Sequence, residues 1–286
     1  MRNTLVIARL VTSEVSRRRL VLALLALTVL AVLLTAWGFS RIPTLSTDEG
    51  PLPEPMVKLI ASQFLILVMF MFSNVLALSA VFVASPAISG EVESGVALAM
   101  LSRPIARWEY VLGKWVGLAV LVASYACLAA AVELAAVNAV VDYLPPRPLE
   151  FLGFLIAEGL VLLTFGLLLS THFSGMVGGV VALVLFGMAW LGGIVGGLGS
   201  TFDNEVLERV GTVTKLILPT DGLWRGAVYA LEPAAVLAGA LPRGPASAAN
   251  PFYAATAPVP AYLVWCALWL VGVLALAAWS FSRREL

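Results

Sequence analysis

The chain has 286 residues, of which 61% are hydrophobic and only 12% charged, with a mean hydropathy of +0.99; a water-soluble domain carries about 25% charge, so lipid is the solvent that suits this composition. Seventeen basic and seventeen acidic residues cancel, which leaves no basic field for DNA or RNA and excludes nucleic acid as a partner. Cys127 and Cys266 sit in separate apolar runs and read as small buried hydrophobes, neither a disulfide nor a metal pair.

Residues 1–19 come first. Ile7, Val11 and Val15 recur on one helical face with Arg2, Arg9, Ser13 and Ser16 opposite, which fits a helix lying in the membrane interface. The competing reading is an irregular basic leader whose Arg17, Arg18 and Arg19 only anchor the following span. The first apolar run has no small-residue cleavage pattern before Arg41 and is taken as a retained span.

A helix needs about 20 apolar residues to cross about 30 Å of hydrocarbon, and six stretches qualify: residues 20–39, 62–85, 115–136, 151–171, 176–198 and 260–282. Continuous apolar runs, without ten-residue alternation, predict an all-α polytopic membrane protein and not a β-barrel. Short loops on one side carry ten Arg and Lys residues against three on the other. The excess predicts a multi-pass cell-membrane protein with both termini cytoplasmic.

Between spans two and three, residues 87–110 concentrate charge in Glu91, Glu93, Arg103 and Arg107. Val92, Val96, Ala99 and Met100 share one side of a short helix, which Pro104 stops by disfavouring helical backbone at Arg103. An apolar stripe with charged ends and a rigid stop suits a groove in a soluble partner. A solvated loop that only fixes topology would not require the stripe.

Spans three and four contain one glutamate each, Glu133 and Glu158, placed 12 residues before Pro145 and 12 after Pro146. A hairpin would bring both to similar depth, either facing a lumen or reaching outer water, since an unpaired carboxylate in lipid is costly. Gly175, Gly179, Gly192, Gly193, Gly196 and Gly197 make span five close-packing, at a subunit interface, a moving wall, or within one subunit.

Residues 199–259 form a long outer loop, with Asp203 expected to cap an amphipathic helix striped by Val206, Val210, Val213 and Ile217. Only one histidine, His172, occurs, with no His-Glu-x-x-His and no aspartate cluster; no catalytic residue, metal site or cofactor is assigned to the chain. A phosphate-cradling Gly-x-x-x-x-Gly-Lys-Ser/Thr loop is lacking as well, so the energy comes from another polypeptide or from an ion gradient. The gradient would make the chain a secondary transporter or channel, with Glu133 and Glu158 its only clear ionisable groups at membrane depth.

The segment Gly90-Glu91…Ser94-Gly95, then Leu-Ser-Arg-Pro-Ile-x-Arg at residues 101–107 and Leu-Gly-Lys at 112–114, resembles the coupling-helix region of ABC-2 type ABC transporter permeases; the ending Phe-Ser-Arg-Arg-Glu-Leu at 281–286 is similar too. The resemblance implies a dimer, with a second copy or a homologue, whose subunits each dock a coupling helix onto an ABC ATPase carrying ATP and Mg. It implies export through a path bordered by spans two and five, with Phe70, Phe72, Asn74, Leu183 and Phe186 as lining candidates beside Glu133 and Glu158. The coupling residues would be Glu91, Glu93, Val96, Met100, Arg103, Pro104 and Arg107. Pro219, Thr220, Asp221, Trp224 and Arg225 resemble the outer loop of a narrower group, the permease of the nitrous-oxide-reductase maturation transporter, and imply a site for an extracytoplasmic protein.

Overall fold

A computed structural model describes residues 2–16, 19–44, 46–47, 50–102, 105–237 and 245–284. Among these, six helices are long and apolar enough to cross a membrane. In chain order the helices are α1 (Arg2–Ser16), α2 (Arg19–Phe39), α3 (Glu54–Ala84), α4 (Pro86–Glu93), α5 (Val96–Leu101), α6 (Arg107–Val141), α7 (Pro148–Ser170), α8 (Gly175–Thr201), α9 (Glu205–Ile217), α10 (Thr220–Leu231), α11 (Ala234–Leu237) and α12 (Pro260–Arg283). A two-residue ladder pairs Ser46–Thr47 with Gly50–Pro51.

The spans match the expected ones within a few residues except for α3 and α6. Glu54 begins α3 eight residues early, because Lys58 reaches back one turn to its carboxylate at 2.8 Å and prolines suit a helix's first turn. Arg107 starts α6 eight residues early, since Glu109 folds back on the Ala106 amide at 3.4 Å and supplies the side-chain half of a capping box. Charge ended these spans in the apolar count; helical hydrogen bonding carries them further.

Both termini meet at one end of the bundle, here the terminal end, where Arg107 donates to the Ser282 and Arg284 carbonyls at 3.0 and 2.6 Å. Helix α1 lies against α6: Ile7, Val11 and Val15 are buried as the helical reading expects, and a Cβ on Gly113 or Gly117 would strike Ile7 or the Ala8 carbonyl at 2.7 Å. The buried face therefore meets protein, while Leu5, Val6 and Leu10 are left exposed. The core here joins α1, α4, α6 and α12 around Ile88, Tyr110, Val111 and Phe281.

At the far end residues 205–231 fold into the bundle. Helix α9 runs back along α8: Gly199 faces Leu207, Gly196 faces Gly211 and Gly192 faces Thr214. Its tip reaches α12 well inside that span, where Trp265 and Trp269 donate to the Leu216 and Ile217 carbonyls at 3.2 and 2.8 Å. Since α12 starts at Pro260, nine residues at 1.5 Å each place Trp269 about 13 Å along it. Helix α10 then packs on α7 and α8 with most of its length buried. The cap of α9 is Asn204, whose Oδ1 accepts from the Val206 and Leu207 amides, and not Asp203, which takes the left-handed conformation at φ 55°.

Candidate functional site

The segment between α3 and α6 is two helices where one was expected. Pro86, which lacks an N–H, opens α4 after the single residue Ser85, and Ser170 of α7 accepts the Ile88 and Ser89 amides, both at 3.0 Å, pinning α4 to the bundle. Gly95, at φ +76°, turns the chain between α4 and α5; a left-handed turn is one glycine takes without strain. That turn rotates α5 so that Ala97 is buried while Val96 and Leu98 are about half exposed.

The charges divide differently from the sequence expectation. Glu91 points inward: its carboxylate pairs with Lys114, which is 4% exposed, and accepts from the Tyr110 hydroxyl at 2.5 Å. Tyr110 stacks on Phe281 with centroids 5.3 Å apart. Removing one partner of a buried pair strands the other, so Glu91 ties α4 to α6. Arg107 is likewise turned to the C-terminal carbonyls. Glu93 is exposed, Met100 is half-buried, and Arg103 and Pro104 lie outside the described residues. The outward surface is thus Glu93, Val96 and Leu98, with Trp108 beside them in sequence on α6, also about half exposed. Leu98, Trp108 and Lys114 were missed as site residues; the Val96/Leu98 exposure follows from the break at Gly95, and a glycine in a short helix is the signal that marked it.

The proposed lining residues are scattered. Phe70 packs in an aromatic cluster with Trp190, Trp224 and Phe252, centroids 5.1–5.9 Å away, Phe72 is buried, and Asn74 donates to the Phe70 carbonyl at 2.7 Å. Glu133 and Glu158 share a hairpin, as expected, but face apart. Glu158 accepts from Ser73 of α3 at 2.6 Å, whereas Glu133 is fully buried near Thr35 of α2. Both side chains are buried among the described residues. Leu183 is exposed on α8, in a stripe with Val180, Val184, Met188 and Leu191; Phe186 is half-buried.

The outer-loop residues are buried too. Asp221, Thr220 and Trp224 are each about 2% exposed or less, because the loop inserts between helices. The Asp221 carboxylate takes Arg225 at 3.1 Å and Lys215 at 3.6 Å, and sits on Gly193 so closely that a Cβ there would lie 2.1 Å from it. Arg225 also donates to the carbonyls of Gly193 and Ala248 at 3.2 and 3.1 Å. Burial lowers the Lys215 pKa from the ordinary lysine value, against the opposing pull of Asp221. Pro219 is buried and its carbonyl accepts from Tyr262 at 3.1 Å. This set clasps the subunit to itself, with Pro219, Thr220, Asp221 and Trp224 buried in the clasp.

One family model, described as ABC-2 family transporter protein, matches residues 6–286. The chain belongs to the ABC-2 family of transporters. Curated proteins provide no match. Membership makes it a membrane transport component and a permease subunit of an ABC transporter, with an ABC ATPase as its partner in a lipid bilayer. The glycines of α8 that face α9 and α10 pack inside the permease.

Proposed function

We propose that this permease forms, with a second copy or a homologue, an export path through the cell membrane, and that α4 and α5 couple it to ATP and Mg held by ATPase subunits on separate chains. The observation that carries the coupling reading is the outward surface of Glu93, Val96 and Leu98 on a projection fixed to the bundle by Ser170 and by the Glu91–Lys114 pair. Exposed apolar groups beside a carboxylate, on rigidly held backbone, are what a protein groove takes up. The basic excess at the terminal end supports a cytoplasmic position for this surface. The exposed stripe of α8 through Leu183 supports a path or protomer contact on that helix.

Coexpression tests the reading. The purified permease should hydrolyse no ATP alone and should copurify with a nucleotide-binding subunit, whose hydrolysis then accompanies transport. Transport by the permease alone in proteoliposomes, driven by an ion gradient, would replace this reading with the secondary-transporter one.

A further inference from the structure

Helix α2 packs on α6 and on the turn at its far end, Ile42–Thr44, and two cavities of about 320 and 340 Å³ lie between it and α3. Thr35 and Val68 belong to the walls of both. On the α6 side Val32 joins the core cluster that holds Ala126, Ala129 and Ala130, small residues that let two helices in a membrane approach closely. Two polar groups of α6 meet this side of α2. Tyr125 shares a hydrogen bond of 2.8 Å with Thr28, and about two turns further along both helices Glu133 sits beside Thr35.

The two pairs differ in what they can exchange. Thr35 spends its hydroxyl proton on the Val32 carbonyl at 3.0 Å, which leaves it only an acceptor, and an ionised carboxylate is an acceptor as well. Acceptor would then face acceptor. The Glu133 side chain is fully buried, and among the described residues neither of its carboxyl oxygens has a hydrogen-bond partner. The sequence puts no titratable group on α2 between Arg19 and Arg41, nor on α3 between Lys58 and Glu91. Glu158 of α7 turns to Ser73, Arg225 of α10 to Asp221, and Tyr262 of α12 to the Pro219 carbonyl. None of these faces offers Glu133 a cation. A carboxylate there bears its desolvation uncompensated, whereas the acid form carries an O–H that Thr35 can accept.

We propose that Glu133 binds a proton while α2 is seated on α6, with its O–H directed to Thr35, and releases that proton to water when α2 tilts into the cavities on its α3 side and uncovers the α6 face. In that step the O–H bond breaks, the carboxylate keeps the electron pair and water takes the proton. The seated state holds one proton more than the tilted one, so raising the pH favours tilting. The site rests only on the permease's place in a bilayer and is independent of the ATPase.

Infrared difference spectra and a spin-label distance test this on the full-length permease in lipid nanodiscs, from about pH 5 to about pH 9, the range that carboxyls of differing burial span. The labels go on Leu30→Cys and Val132→Cys, both exposed positions, with Cys127 and Cys266 changed to alanine. The spectrum with Glu133 intact minus that of Glu133→Gln should show a carboxylic-acid C=O band at the acid end, giving way to a carboxylate band as the pH rises. Across the same window the tilted-to-seated ratio read from the label distances should rise by up to about tenfold per pH unit, as release of one proton requires. Glu133→Gln and Glu133→Met should each stay seated throughout, so that either variant serves if the other folds poorly. A carboxylate band at every pH overturns the proton site. An acid band at every pH overturns the release, and label distances that respond to pH alike with and without Glu133, or in neither case, overturn its coupling to α2.

Discussion

The two ends of this permease spend the same residue types in opposite ways. At the far end Asp221, Lys215 and Arg225 turn inward over Gly193, and α8's glycines bring α9 to backbone contact. At the terminal end one ion pair, Glu91 with Lys114, fixes α4, and the next residues, Glu93, Val96 and Leu98, are left outside. Charge in the first region builds the subunit; charge and apolar surface in the second are left exposed. A polar motif in a membrane-protein loop therefore has to be read against what the loop packs on.

Breaking the far-end clasp should have the largest effect. Asp221→Ala leaves two cations in a buried site and should cost about 3–5 kcal/mol, seen as a lower unfolding midpoint for the purified permease; Glu93→Ala should leave that midpoint unchanged. Gly193→Ala comes next, since its Cβ would fall on the Asp221 carboxylate; overpacking of this kind should cost up to about 3 kcal/mol, whereas Gly38→Ala, where a Cβ meets nothing within 4 Å, should not lower the midpoint in the same assay. At the other end Leu98→Asp should leave unfolding unaltered yet weaken ATPase binding by about 2 kcal/mol, a loss of roughly thirtyfold in affinity by titration. The smallest effect belongs to the exposed Arg209–Glu205 pair at 2.9 Å, where Arg209→Ala should cost about 0.3–0.5 kcal/mol.

Span number, the face of α1 carrying Ile7, Val11 and Val15, and the presence of short helical structure between spans two and three were legible because each depends on local period and length. The direction of each charge was not. Glu91 finds Lys114 23 residues away and Arg107 finds carbonyls at the C-terminus, pairings that no window on the sequence contains. Residues 205–231 read as an outer surface for the same reason: an amphipathic helix looks alike whether its small-residue face meets water or the glycines of α8. Asp203 and Asn204 are adjacent equivalents as caps, and only the backbone conformation separates them.

The central claim is that α5, and not the inward charges of α4, meets the ATPase. A photo-crosslinking amino acid placed in turn at Leu98, Trp108, Glu91 and Ala97 of the permease, in cells also making the ATPase, tests it directly. Adducts with the ATPase at Leu98 and Trp108, and none at the inward Glu91 and buried Ala97, are the predicted result. Adducts at Glu91 with none at Leu98 would contradict it, because the surface facing the ATPase would then be the one assigned here to the permease's own core.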